Sequence, residues 1–138
     1  MVKTMICMVG IPCSGKSTWV SKFIEDNDEH IVISRDDIRR DRFNTQYDPK
    51  IEPEVFAIEY NMVLNALQSG KCIIIDDCNV NKKTLEGWRT LAKKYKYRFQ
   101  IKFMRISLEK ALSRNKSRTE RIVPESIIRS MYKQLLSP

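Results

Sequence analysis

Short apolar runs alternate along this chain with stretches of helical hydrophobic periodicity. Four runs predict buried or half-buried β-strands, at residues 5–9, 30–33, 71–75 and 98–104. Apolar positions at helical spacing predict helices at 19–24, 38–40, 53–68 and 81–95, after Ser107, and after Pro124. Strands that alternate with helices are typical of a parallel sheet covered on both faces, so we expect a single α/β domain over residues 1–138.

Three further predictions come from the same pattern. In the longest helix, Val55, Ile58, Met62 and Leu67 mark the expected buried side. Residues 41–53 are polar, contain two prolines and lack periodicity, which predicts a mobile loop over an active site. The last helix has an apolar stripe formed by Ile127, Met131 and Leu135. This stripe serves either a homo-oligomer interface or, more ordinarily, packing on the sheet.

Composition and charge narrow the class of protein. No apolar run approaches the roughly 20 residues that a membrane helix needs, and the N-terminus enters the first strand directly. The four cysteines show no C-x-x-C spacing, so we expect a cytoplasmic protein without a membrane partner, a zinc site or disulfides. Residues 1–81 hold 9 Lys/Arg against 13 Asp/Glu, whereas residues 82–138 hold 16 against 4. Such a basic half favours a polyanionic partner, with a solvated basic surface as the alternative.

The most specific motif follows the first predicted strand. Gly10-Ile-Pro-Cys-Ser-Gly-Lys-Ser-Thr18 matches G-x-x-x-x-G-K-[S/T] between a strand and a helix. The glycines let backbone N–H groups turn inward around phosphate, and the helix N-terminus adds positive potential. Lys16 can then reach the β- and γ-phosphates, while the Ser17 hydroxyl can ligate Mg²⁺. We therefore expect a nucleoside triphosphate site formed by this loop: Gly10, Cys13, Ser14, Gly15, Lys16, Ser17 and Thr18.

The second cluster of candidate residues follows the second strand. The single histidine, His30, opens the second apolar run and is not expected to be a ligand, so a general base must come from a carboxylate. Asp37 has the spacing of a capping box with Ser34, which leaves Asp36 as the better base for an acceptor hydroxyl. Arg39 either holds an acceptor phosphate or lies on the helix surface.

Two more clusters are expected on the same side of the sheet. Asp76 and Asp77 follow the third strand, where a carboxylate commonly holds Mg²⁺; an Asx-rich turn is the alternative, and the residues alone do not decide between the two aspartates. Arg114 and Arg118 lie at helical spacing and, with Arg121, predict an arginine lid over a transferring phosphoryl group or else a solvated helix end.

Together these motifs resemble the kinase module of phage-type polynucleotide 5′-hydroxyl kinases over nearly the whole chain. The residues that carry the resemblance are Gly10-x-Pro12-x-Ser-Gly-Lys-Ser-Thr-Trp19, Ser34-Arg-Asp-Asp37-x-Arg39, Asp77-x-Asn79-x-Asn81, Arg114-Asn-x-x-Arg118 and Val123-Pro124…Tyr132-Lys. Cys78 stands where the family pattern has threonine. No Asp-x-Asp-x-[T/V] phosphatase signature occurs, so 3′-phosphatase activity is not implied.

The resemblance implies a P-loop kinase fold with strand order 2-3-1-4 and a C-terminal arginine lid. It also implies transfer of the ATP γ-phosphate to the 5′-hydroxyl end of DNA or RNA, in the cytoplasm of the host cell if the protein is phage-encoded. Asp36 would be the general base and Arg39 would bind the acceptor phosphate.

The same resemblance assigns the nucleotide side of the site. Lys16, Ser17, Arg114 and Arg118 would act on the ATP phosphates and Mg²⁺, and Val123 would lie against the adenine. Asp77, rather than Asp76, would be the second important carboxylate, joining Ser17 at the metal.

Two other functions stay open at this point. A small-molecule or nucleoside kinase would share the fold but would not require the basic half of the chain. A nucleotide-binding interaction module with little catalysis would need neither Asp36 nor Arg39.

Overall fold

The computed structural model describes residues 2–137. Along the described chain the elements are β1 (Thr4–Val9), α1 (Lys16–Asp26), β2 (His30–Ile33), α2 (Arg35–Phe43), α3 (Glu52–Gln68), β3 (Cys72–Ile75), α4 (Lys82–Lys94), β4 (Arg98–Phe103), α5 (Leu108–Lys116) and α6 (Glu125–Leu136). No helix among the described residues is both long and apolar enough to cross a membrane.

The four strands form one parallel sheet in the order β2-β3-β1-β4, which confirms the predicted fold. In its register, Cys7 pairs with Ile75, Ile33 pairs with Ile75, and Val9 pairs with Phe103. The carboxyl ends of all four strands therefore meet at one edge, where ligands of open α/β sheets collect.

The central strand β1 contributes to an apolar core on each face of the sheet. Residues 5–9 of this strand are all apolar, and successive side chains of a strand point to opposite sides. Met5 and Cys7 of β1 belong to a core shared with α3 and α4. Ile6 and Met8 face the other way, into a core with Val20 and neighbouring apolar side chains of α1.

The buried side of α3 differs from the one predicted. Val55 and Leu67 are buried, but Met62 is 37% exposed, and the interior positions between them are Glu59, Val63 and Ala66. The true stripe advances at the helical spacing of three to four residues but has an acidic residue at its centre. The prediction was therefore right for Val55 and Leu67 and wrong for Met62, and Ile58 is half-buried.

The apolar stripe of α6 packs within the chain, but not on the sheet. Ile128 is fully buried in a cluster with Ile11 and Cys13 of the loop after β1 and Ala111 of α5, and Met131 and Leu135 pack against the same cluster. Most of the surface considered for self-association is therefore used to hold α6 against that loop.

The irregular segment between α2 and α3 is shorter than the predicted loop 41–53. Residues 41–43 complete α2, which ends where Asn44 adopts a left-handed φ of 50°. α3 begins at Glu52, with Pro53 in its first turn as expected for a residue without an N–H. The segment without helix or strand is 44–51.

Candidate active site

The loop after β1 has the geometry of a phosphate-binding loop. A Cβ on Gly10 would lie 2.7 Å from Ser14 Oγ and 2.9 Å from the Met104 carbonyl oxygen, so only glycine fits there. Gly15 has a φ of +95°, a conformation that favours glycine. These two positions explain why the motif requires glycine at both ends of the loop.

Two cationic side chains meet this loop. Lys16 Nζ donates to the carbonyl oxygens of Gly10 and Ile11, both at 2.9 Å. Arg114 Nη1, reaching across from α5, donates to the carbonyl oxygen of Cys13 at 3.1 Å. Both predicted phosphate ligands therefore contact the loop itself, whereas Thr18 lies exposed in the first turn of α1.

Asp76 is the carboxylate that faces the phosphate loop. Ser17 Oγ donates to Asp76 Oδ2 at 3.1 Å, and Asp76 Oδ1 is buried with no hydrogen-bond donor among the described residues. Burial raises the pKa of Asp76 above its usual value, and the charges of Asp77 and Asp36 add to the rise, while Ser17 and Lys16 oppose it. A hydroxyl beside a carboxylate oxygen that lacks a donor suits Mg²⁺, which takes few protein ligands and keeps several waters.

Asp77 faces away from Ser17, toward the start of α2. Its Oδ1 accepts from the Arg35 backbone N–H at 2.8 Å, and its Oδ2 lies 3.4 Å from Arg35 Nε. Asp76, and not Asp77, is therefore the carboxylate that contacts Ser17, which does not support the expectation that Asp77 joins Ser17 at a metal. Asp77 instead ties β3 to the helix that carries Asp36 and Arg39.

Glu59 of α3 completes a buried acidic pair with Asp77. Its side chain is fully buried, Oε1 lies 3.5 Å from Arg35 Nε, and neither oxygen meets a donor in the described chain. Burial, followed by the charge of Asp77, raises the pKa of Glu59 well above its usual range. A proton on Glu59 relieves the repulsion and supplies a donor between the two carboxyl groups.

Asp36 and Arg39 form the opposite side of the site. Ser34 Oγ accepts from the Asp37 N–H at 3.1 Å, so Ser34 caps the helix as the spacing predicted, but the Asp37 carboxylate pairs with Arg40 instead of completing the capping box. Asp36 stands in the first turn with its side chain 69% exposed. Arg39 Nη1 donates to Asp36 Oδ1 at 2.8 Å, and the other arm of Arg39 is held by Glu52 at 2.5 and 2.9 Å. The pair is thus fixed in orientation yet open to solvent on the Asp36 side.

The predicted arginine lid is only partly as expected. α5 ends at Lys116, so Arg118 follows the helix and does not share a helical face with Arg114; its Nη1 donates to the carbonyl oxygen of Arg121 at 3.0 Å. Val123, the expected adenine neighbour, is held by Asn115, which donates to its carbonyl oxygen at 2.7 Å and accepts from its N–H at 3.0 Å.

Four residues of this arrangement received no role from the sequence: Arg35, Glu52, Glu59 and Asn115. Arg35 and Asn115 stand inside the quoted motifs, between residues that did receive roles, and that position was the available signal. Glu52 and Glu59 had no such signal, because their partners lie 13 or more positions away in the chain.

The fold and the phosphate loop together define a P-loop nucleotide-binding protein. A family model described as an AAA domain matches residues 5–138, and the chain belongs to that family.

Relatives of this chain carry kinase names. It is 29% identical over 97% of its length to a protein of Autographa californica nuclear polyhedrosis virus named "Putative bifunctional polynucleotide kinase/RNA ligase", and covers 21% of that protein. It is 27% identical, again over 97% of its length, to the L-seryl-tRNA(Sec) kinase of Methanococcus maripaludis, and covers 53% of it. The chain thus spans between about a fifth and a half of the curated relatives it matches.

A chain in the structure of the Pnkp1/Rnl/Hen1 RNA repair complex has the same fold. The TM-score is 0.85 at 26% identity, covering 97% of this chain and 44% of that one. Together with the baculovirus relative, this similarity confirms the resemblance that the motifs predicted.

Proposed function

We propose that this domain transfers the γ-phosphate of ATP to the 5′-hydroxyl end of DNA or RNA. The observation that carries the proposal is the exposed Asp36 carboxylate, paired with Arg39, at the same sheet edge as Lys16 and the Ser17–Asp76 pair. Its charge contributes to the raised pKa of Asp76, so the two carboxylates lie within electrostatic range of each other. A nucleotide-binding module without an acceptor has no need of that second carboxylate.

On the nucleotide side, the loop backbone, Lys16 and Arg114 hold the phosphates. Lys16 and Arg114 would exchange the loop carbonyls they now contact for phosphate oxygens. Ser17 and Asp76 would hold Mg²⁺, and the ion would neutralise charge on the phosphate oxygens. We assign to Asp77 the role of holding α2 in place. Arg118 stays a candidate residue of the arginine lid, and Val123 is assigned a contact with the adenine.

On the acceptor side, Asp36 orients the hydroxyl and takes its proton as the new oxygen–phosphorus bond forms. The bond between the γ-phosphorus and the β,γ-bridging oxygen breaks, and ADP leaves. Three of the five N–H donors of Arg39 contact Glu52 and Asp36, which leaves two for the phosphate that follows the attacked sugar. Positioning of the acceptor and electrostatic stabilisation of the phosphoryl group are thus the main sources of rate, and proton transfer to Asp36 adds to them.

The test compares Asp36→Asn with Asp37→Asn, a matched neighbour whose carboxylate pairs with Arg40 on the surface. With labelled ATP and a 5′-hydroxyl oligonucleotide, D36N should lower kcat by roughly 100-fold or more because the general base is lost, and D37N should retain activity. The KM for ATP should stay within about twofold in both variants.

The acceptors distinguish the rival functions. A 5′-phosphorylated oligonucleotide should remain unlabelled. Label there would indicate a different hydroxyl on the nucleic acid, and label on free nucleosides alone would indicate a small-molecule kinase. ATP hydrolysis without transfer to any acceptor, unaffected by D36N, would overturn the proposal in favour of a nucleotide-binding module.

A further inference from the structure

The segment 44–51 presents an aromatic side chain at the acceptor side of the site. Tyr47 is 57% exposed, and the Arg39 guanidinium carbon lies 5.6 Å from the centroid of its ring. Its neighbours in the sequence are mostly polar, and the apolar clusters formed by the described residues do not include Tyr47. A ring that contacts a cation on one side and solvent over most of its surface has room for a second flat partner.

The backbone of the segment is tied to the same arginine. The N–H groups of Asn44 and Thr45 both donate to the Arg39 carbonyl oxygen, the latter at 3.2 Å. The guanidinium of Arg39 is in turn fixed by Glu52 and reaches Asp36 at 2.8 Å. The segment that carries Tyr47 therefore starts from the same arginine that pairs with Asp36, and the Tyr47 ring lies against the guanidinium of that arginine.

We propose that Tyr47 is a stacking platform for the nucleobase of the 5′-terminal nucleotide. This inference rests on the proposed function: with the hydroxyl at Asp36 and the following phosphate at Arg39, the base is the remaining part of that nucleotide, and it needs an apolar, flat surface. Aromatic stacking is tolerant of base identity because every base has a π-face. The platform would therefore favour a nucleic-acid end over an acceptor without a base, whatever its terminal base.

The test uses an acceptor with and without that base. Tyr47→Leu removes the aromatic ring but keeps an apolar side chain, and Tyr47→Phe keeps the ring. For an ordinary 5′-hydroxyl oligonucleotide, Y47L should raise the acceptor KM about tenfold, toward the lower end of the effect expected for the loss of one stacked base, while Y47F stays near wild type. For the same oligonucleotide with an abasic 5′-terminal nucleotide, wild type and Y47L should have equal KM values.

The controls separate this role from a structural one. The kcat and the KM for ATP should change by less than about twofold in Y47L, because the platform acts on acceptor binding. Tyr60→Ala removes another exposed tyrosine, from α3, and should leave the acceptor KM unchanged. An unchanged acceptor KM in Y47L would overturn the proposal, and so would an equal loss on the abasic acceptor, which would mean that the ring acts through Arg39.

Failure of the proposed function would look different. If wild-type protein labels no 5′-hydroxyl acceptor at all, that function is wrong. Fluorescence anisotropy with the base-bearing and abasic oligonucleotides, on wild type and Y47L, then decides the role of Tyr47 alone. A preference for the base-bearing oligonucleotide that Y47L abolishes supports the platform, and equal affinities overturn it.

Discussion

Asp76 and Asp77 are adjacent in sequence and have different partners. The side chain of Asp76 reaches Ser17 across the phosphate loop, whereas that of Asp77 accepts from the backbone of Arg35. The first contact suits a metal site, and the second fixes the start of the helix that carries Asp36. Loss of either carboxylate should lower activity, but for different physical reasons.

The two roles predict opposite patterns of stability. Asp77→Asn should lower the free energy of unfolding by about 1.5–3 kcal/mol, because it weakens buried hydrogen bonds to a charged group. Asp76→Asn should leave that free energy unchanged or raise it, since it removes a desolvated charge, while lowering kcat at least tenfold and raising the Mg²⁺ concentration needed for half-maximal rate. Urea unfolding and magnesium titration of the two variants, with Asp28→Asn in the exposed turn before β2 as a control, measure both effects.

An equal loss of stability in both variants would contradict this division. So would an unchanged magnesium requirement in Asp76→Asn, since Asp77 would then be the better candidate for the metal.

The sequence predicts a site residue well when the role of that residue depends on its neighbours in the sequence, and poorly when it depends on contacts with distant elements. Gly10, Gly15 and Lys16 act within a loop of fixed length, so their spacing is sufficient. The choice between Asp76 and Asp77 depends on which side of the chain each carboxylate faces as it leaves β3. That orientation is set by contacts with α1 and α2, which are distant in sequence.

At the scale of elements, α3 shows what a hydrophobic pattern misses. Its buried stripe runs through Val55, Glu59, Val63 and Leu67, so the residue at its centre is an acid. The pattern predicts the length of the helix and the burial of Val55 and Leu67 but not that of Glu59, because burial of Glu59 depends on Arg35 and Asp77 from other elements. Similarly, α5 ends at Lys116, before Arg118, so the helical spacing between Arg114 and Arg118 does not place them on one face.

The buried glutamate should make stability depend on pH. Since its pKa in the folded protein is raised above the unfolded value, the folded state binds more protons above the ordinary titration range of glutamate. The free energy of unfolding should therefore fall as pH rises from about 6 to about 8.5, by at most about 1.4 kcal/mol per pH unit for this one proton. Glu59→Gln, which is neutral at every pH, should remove that part of the slope.

Urea unfolding at both pH values, on wild type, Glu59→Gln and Glu54→Gln, is the measurement. Glu54 is exposed on the same helix, so its variant should retain the wild-type slope. If the slopes of wild type and Glu59→Gln are equal, Glu59 is not protonated in the folded state.

At the scale of the whole molecule, the charge asymmetry follows the architecture. The segments after residue 81, with 16 Lys/Arg against 4 Asp/Glu, form α4, β4, α5 and α6, and include the arginine at the phosphate loop. The carboxylates at Asp36 and Asp76 come from the acidic first half. The site therefore lies where a negatively charged half that supplies carboxylates meets a positively charged half suited to phosphate groups.

This asymmetry predicts a salt dependence that distinguishes a polynucleotide from a small acceptor. If the basic half neutralises about four phosphates of a single strand, a fourfold rise in salt should raise the oligonucleotide KM about 50-fold, because counterions are no longer released favourably. A nucleoside 3′-monophosphate, with one phosphate, should change by less than about threefold over the same range. Steady-state kinetics at several salt concentrations and fixed Mg²⁺ compare the two acceptors. Parallel slopes would mean that the basic half does not contact the strand beyond its first phosphate, and would favour a small acceptor over a nucleic-acid end.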